Sequence, residues 1–353
     1  MLFLFLSLMT FAILLVYLED YFPKEGKFGL YVTLCIALIL TTGLKPIGFD
    51  NDSDVYESIF NSTEKPSPSI LVEYSFIWIS NLLKNIHDDI HIVFLFYAIL
   101  AVCIKFYSIY RLTPLVSLAL VIYIGNFYLL HDCIQIRASV ASAFFLLSIK
   151  PFSDGRKWLG AIWLLIALFF HYSSLILFVV LLLSNKPLSI VWRIALACLV
   201  PIGLFMFVMH INPIASLPIP YIEEKLTTYE ELKNKGIFDE ISIFNVLVWM
   251  RIIIFLYALY FYNIIYEHCK YLPLILKIMG ISIFSFFALS SIPILSERVN
   301  ELFGIVEILL FPCIYYTIRP ESAAKAIVCL IAVATMFYRL FRLHTFVFNS
   351  FAS

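Results

Sequence analysis

Residues 157–185 read KWLGAIWLLIALFFHYSSLILFVVLLLSN. Past its first lysine the stretch is apolar until His171-Tyr172-Ser173-Ser174, and apolar again to Ser184. It does not alternate with the period of two that a barrel strand requires, so it reads as helix. Each arm holds about 14 residues and is about 21 Å long at 1.5 Å per residue, against a hydrocarbon core of about 30 Å. Basic residues stand at both outer ends, Arg156 and Lys157 where the stretch begins and Lys186 after it. We therefore read a hairpin entered from one side of a membrane, with His171 at an apex that stops short of the other side. A polar apex at that depth needs protein or a water-filled cavity around it. The alternative is one continuous helix with a polar kink at His171, which would invert the sidedness of everything downstream.

Apolar runs of this kind recur from end to end of the 353 residues. They fall near 2–18, 28–44, 90–110, 113–130, 133–150, 157–170, 172–184, 189–210, 243–266, 271–292, 299–318 and 322–340. Hydrophobic residues make up 62% of the chain and charged residues 14%, where a soluble domain carries about 25% charged. Mean hydropathy is +0.96. In lipid every backbone group must be paired within the spanning structure, which leaves helices or a closed barrel. The runs are too long for barrel strands. The expected fold is thus all-α and polytopic, one integral domain crossing a bilayer about twelve times.

Twenty-four basic residues balance twenty-four acidic ones, so no overall field points to nucleic acid. The seven cysteines lie mostly inside apolar runs and show no CxxC or Cys/His spacing. Neither a disulfide framework nor a zinc site is expected, and no metal or cofactor. Residues 1–18 lack a basic start and a small-residue cleavage site, so they read as a retained first span rather than a signal peptide.

Sidedness follows from Lys and Arg in short loops. Lys24, Lys27, Lys105, Arg111, Lys150, Arg156, Lys157, Lys186, Lys270, Arg319 and Lys325 fall on one side, which we read as cytoplasmic. Asp50, Asp52, Asp54, Glu57, Glu64 and the long loop 211–242 fall on the other, together with both termini. Arg339 and Arg342 depart from the rule. Between 45 and 89 the outer loop contains LVEYSFIWISNLLKNI (71–86), with Glu73, Ser80, Asn81 and Lys84 on one helical face. This reads as an amphipathic helix lying in the interface. Loop 211–242 begins Pro-rich and becomes acidic (YIEEKLTTYEELKNK), and Asn61-Ser62-Thr63 is a formal sequon.

Polar residues inside such a chain are the candidate site. His171 has an imidazole of ordinary pKa near 6.5, suited to a general base or a ligand contact; the structural alternative is a hydrogen-bonded core histidine. Arg137 opens the small-residue run ASVASA of the fifth span. It either snorkels to the interface or holds a phosphate oxygen pair bidentately. Arg298 stands at the start of the eleventh span, where interfacial placement is cheap. Arg251 lies deep in the ninth and Glu307 deep in the eleventh, and the two are candidates to pair. Lys105 and Lys277 are expected to snorkel. The loop LKPIGFDNDSDVYESIF offers Asp52 and Tyr56 as sugar contacts or as orienting groups, with Glu73 after them.

In this order and spacing the motifs resemble the EpsG family, the Wzy-like polymerases of bacterial surface polysaccharides. Asp52, Tyr56 and Phe60 keep a D-x3-Y-x3-F spacing, although Gly48 lies further upstream than the family motif places it and leaves Asp50 as the alternative equivalent. Glu73 to Phe76 resembles an E-x-G-F element with Ser75 in place of glycine. Arg137 and Ala141 match R-x3-A; Phe170, His171, Ser173 and Ser174 match F-H-x-S-S; Arg298 matches an arginine that opens a late span. The resemblance implies a GT-C-like glycosyltransferase acting outside the bacterial cytoplasmic (inner) membrane on repeat units carried by undecaprenyl diphosphate, such as O-antigen. It also implies work alongside a chain-length regulator, with no nucleotide sugar. On that reading His171 and Arg137 are catalytic, and Arg298, Arg251, Asp52, Tyr56 and Glu73 bind substrate. A lipid-linked oligosaccharide flippase is the alternative from another class; it should show pseudo-repeats, and none is visible. An O-antigen ligase or membrane acyltransferase is the third reading.

Overall fold

The computed structural model describes residues 1–62, 73–211, 213, 241–342 and 346. Glu64, Thr63 of the sequon, residues 71–72 of the amphipathic stretch and nearly all of loop 211–242 lie outside the described residues. Among those described the chain is helical, and the only β pairing is an isolated bridge between Asp50 and Phe346. It clusters into two compact units, residues 1–178 with 311–353, and residues 179–310.

The first unit contains α1 (Leu2–Leu18), α2 (Lys24–Gly43), α3 (Ser53–Asn61), α4 (Tyr74–Lys84), α5 (His91–Leu112), α6 (Val116–Tyr123), α7 (Ile136–Ser153) and α8 (Lys157–Phe170). Helix α6 runs on as a π-helical stretch, Ile124–Asp132. The second unit contains α9 (Ile190–Val208), α10 (Val246–Tyr260), α11 (Tyr262–His268), α12 (Leu272–Ala288), α13 (Pro293–Gly304) and α14 (Glu307–Leu310). The chain returns to the first unit with a 3₁₀ segment, Phe311–Tyr316, then α15 (Glu321–Phe337) and a second π-helical turn, Tyr338–Arg342.

Every apolar run of the sequence is thus helical, and the protein is a polytopic all-α membrane protein. Not every run is a full-length span. Among the described residues six helical stretches are long and apolar enough to cross a bilayer: 2–21, 24–43, 91–112, 190–208, 293–316 and 321–342. The pair α10 and α11, bent by 85°, adds a seventh if it counts as one. Four further runs are shorter apolar helices, 116–132, α8, 172–182 and α12, and α7, at 18 residues, is the remaining one. Helix α8 ends at Phe170 because His171 takes an extended conformation (φ −152°, ψ 114°), so a single continuous helix through His171 does not form. A 3₁₀ segment, Tyr172–Leu182, comes next.

Burial follows lipid logic. Large apolar side chains remain exposed along the outer helices, for instance Leu14, Phe28, Ile36 and Ile99, as expected of a surface solvated by acyl chains. Several buried groups are polar, and each resolves locally. Contrary to the snorkelling expected of it, Lys105 is fully buried, with Nζ donating to Asp132 Oδ2 at 2.7 Å and to Ser139 Oγ at 2.9 Å. The neighbouring π-helical stretch supplies that carboxylate, which also accepts from the Tyr123 and Ser139 hydroxyls. A charge in the middle of a helix bundle is tolerable when a partner lies this close, and the sequence holds no local sign of such a partner. Gly125 permits the approach of α15: a Cβ there would fall 2.5 Å from the Ala332 carbonyl oxygen.

In the second unit Arg251 of α10 and Glu307 of α14 do pair. Arg251 Nε donates to Glu307 Oε2 at 2.7 Å, and both side chains are almost wholly buried. Gly304 leaves space for the guanidinium, since a Cβ at that position would sit 3.0 Å from Arg251 Cζ.

A candidate active site around Glu73

In the first unit, α3, α4, α5, α7 and α8 enclose an apolar cluster that includes Tyr56, Phe60, Phe76, Phe94, Tyr97, Val140, Phe144 and Phe170. Some rings pack edge-on or tilted, as Phe76 against Tyr56 at 5.2 Å and Tyr97 against Phe170 at 5.8 Å, while Phe144 stacks on Phe170 at 6.2 Å. These contacts fix the start of α4, the end of α8 and the start of α7 relative to one another. Each of those three helix ends carries one polar side chain, and the three meet.

Glu73 caps the N-terminus of α4 and is buried, 4% exposed. Its Oε1 lies 2.8 Å from His171 Nδ1, and its Oε2 accepts from an Arg137 Nη. The Tyr172 backbone N–H points at Oε1 from 3.4 Å. Burial alone would raise the Glu73 pKa, but the hydrogen bond from His171 and the charge of Arg137 outweigh it and hold the carboxyl at about 2. An ionised carboxylate can only accept, so His171 donates from Nδ1. The imidazole's Nε2 is then the atom left to take a proton. The His171 backbone is held in turn: its carbonyl accepts from the Ser174 hydroxyl at 2.6 Å and from the Ser174 N–H at 3.0 Å. That is the local reason for a serine three residues after the histidine.

Arg137 is the second residue of α7. Its guanidinium lies over the rings of Tyr56 (5.5 Å) and Phe76 (5.9 Å), and its side chain remains 22% exposed. It neither snorkels free nor stands alone. Tyr56 is buried, which pushes its phenol up to about 12; the Arg137 charge works against that rise and the nearby Asp52 carboxylate adds to it. Tyr56 is therefore a neutral hydrogen-bonding group at any ordinary pH.

The remaining candidates lie elsewhere or do other work. Asp50, not Asp52, is the buried carboxylate of the first loop. It pairs with Lys45 at 2.7 Å and accepts from the N–H groups of Asp52 and Ser53, which ties down the start of α3. Lys45 also donates to the Cys133 carbonyl. Asp52 is half-exposed at the head of α3. Arg298 is exposed on α13, and Arg251 is committed to Glu307; both belong to the second unit.

Helix α4 lies within the stretch read as amphipathic. Its inward face carries Ser75, Phe76, Ile79 and Ser80, while Tyr74, Trp78 and Leu82 are exposed. Both faces mix polar and apolar side chains: Ser80 is buried beside Phe76 and Ile79, and Asn81 is exposed beside Trp78 and Leu82. Sequence reading did not find Tyr97, whose ring closes the cluster beside Phe170, because an aromatic residue in an apolar helix carries no signal of its own.

The fold and this cluster define a polytopic membrane protein with a buried His–carboxylate–Arg constellation. A profile of the EpsG family matches residues 28–351, and the chain belongs to that family, whose members are Wzy-like polysaccharide polymerases. No curated protein and no solved structure matches it.

Proposed function

We propose that this chain is a glycosyltransferase that polymerises repeat units carried on undecaprenyl diphosphate, of the O-antigen kind, at the outer face of the bacterial cytoplasmic membrane. The observation that carries this reading is Glu73 joining His171 Nδ1 on one oxygen and Arg137 on the other. An acceptor sugar hydroxyl attacks the anomeric carbon of the donor glycan and passes its proton to His171 Nε2. The bond from that carbon to the diphosphate oxygen breaks, and its electron pair leaves with the polyprenyl diphosphate. Arg137, held over two rings with part of its surface open, stabilises the negative charge as it grows on the leaving group. Glu73 keeps the imidazole in the productive tautomer, as the buried aspartate of a hydrolase triad does. Asp52, half-exposed at the head of α3, contacts the sugar, and the buried Tyr56 ring supports the Arg137 guanidinium. Sidedness follows the lysine and arginine bias of the loops.

The test uses a polymerase-null strain complemented with His171→Ala or Arg137→Ala, read as the ladder of polymer on lipid A. Single repeat units capping lipid A are expected. Full-length polymer from either variant removes that residue from the mechanism. Absence of any unit indicates a ligase, and blocked export indicates a flippase. Arg298→Ala tests separately the substrate contact read from the sequence. Purified protein with undecaprenyl-diphosphate repeat unit is the in vitro counterpart; no ladder from intact substrate would overturn the assignment.

A further inference from the structure

The helices that carry the Glu73 cluster at one end enclose a cavity of about 470 Å³ at the other. Arg111 closes the last turn of α5, Lys150 the last turn of α7, and Arg156 caps the start of α8. All three line the cavity, beside Tyr107, Trp163 and Ser108. One carboxylate opposes them: Asp154 lies 3.0 Å from Lys150 and 4.0 Å from Arg156. Arg111 has no ion-pair partner among the described residues. Ser108 is 1% exposed, and its hydroxyl lacks a hydrogen-bond partner although it lines this space. Tyr107, Tyr110 and Trp158 stand exposed around the same end, the arrangement of an interfacial aromatic belt. Helix α8 puts about 21 Å between this end and His171, so the cavity stands apart from the proposed catalytic cluster and does not depend on that reading.

We propose that this cavity binds a phosphate anion, presented as the head group of an anionic phospholipid of the leaflet opposite the His171 cluster. Three cations against one carboxylate leave an excess of positive charge. Arginine offers a paired donor set for phosphate oxygens, and the buried Ser108 hydroxyl supplies a neutral donor. Basic pockets between membrane helices at head-group depth recognise anionic lipids in this way. The volume is that of a small-molecule site.

Full-length protein in neutral detergent would be titrated with dihexanoyl phosphatidylglycerol, dihexanoyl phosphatidylcholine and inorganic phosphate, with binding read by native mass spectrometry. The glycerol lipid should bind at least tenfold tighter than the choline lipid, and Arg111→Gln with Arg156→Gln should remove that preference. Both positions are exposed, so the fold should survive; if it does not, Ser108→Ala should weaken binding severalfold on an intact fold. Failure of inorganic phosphate to displace the glycerol lipid assigns the site to a lipid head group. Displacement at comparable concentration assigns it to free phosphate. Equal binding of the two lipids by the wild type, or an unchanged preference in the folded variants, overturns the proposal.

Discussion

Glu73→Gln keeps the shape of the side chain and removes its charge, and the geometry dictates the consequence. The carboxylate serves two donors, His171 Nδ1–H on one oxygen and Arg137 on the other. An amide has a single oxygen. With that oxygen toward His171, the amide N–H₂ faces the Arg137 guanidinium, donor against donor. With it toward Arg137, the N–H₂ faces Nδ1, and the imidazole must carry its proton on Nε2, the wrong tautomer for a base. The carboxyl is held at about 2 against an ordinary 4.5. At about 1.4 kcal/mol per tenfold change, its surroundings favour the ionised form by on the order of 3 kcal/mol. Because the value is lowered, that contribution is complete above about pH 4.5 and fades as the pH falls toward 2. It is therefore fully present at neutral pH as folding stability; the effect on rate comes instead from the misplaced tautomer, because a positioned general base contributes about 10²–10⁴-fold. The assay is the rate of ladder formation by purified protein at pH 7, with thermal unfolding measured in parallel. A fall of about a hundredfold is expected in Glu73→Gln. A rate within threefold of wild type, while His171→Ala is inactive, would refute the idea that the carboxylate orients the base.

Two further predictions concern the frame. Arg251→Met should lower the unfolding temperature markedly, since removing one partner of a buried pair costs about 3–5 kcal/mol. Arg251→Met with Glu307→Leu should recover most of it, and equal stability of the single and double variants would show that the pair is not coupled. Gly125→Ala brings a methyl group 2.5 Å from the Ala332 carbonyl oxygen, so α15 must shift. A drop of several degrees in scanning fluorimetry is expected, and none would mean that the close approach is not maintained in the bilayer protein.

Much of the molecule was legible in the sequence. Each apolar run became a helix, and the break at His171 fell where the polar residues interrupt the run. The Arg251–Glu307 pair could be anticipated because two opposite charges at similar depth have few other partners. Lys105 could not be read correctly, since whether a lysine snorkels or is buried depends on a carboxylate 27 residues away. For helix α4, composition shows where polar and apolar residues recur but not which of them turn into the protein.

Helix formation in lipid is a local matter. Each segment must satisfy its backbone hydrogen bonds within itself, so length and apolarity were sufficient to establish the all-helical membrane fold. The chemistry of the candidate site was not local. Glu73 lies 64 residues from Arg137 and 98 from His171, and nothing in the intervening sequence encodes that meeting. It depends on the packing of aromatic rings at the ends of α4, α7 and α8, which fixes their rotation and depth. The sequence determined that His171 would interrupt its helix inside the membrane domain. That a buried carboxylate binds its Nδ1 and leaves Nε2 to take a proton follows from the helix packing alone.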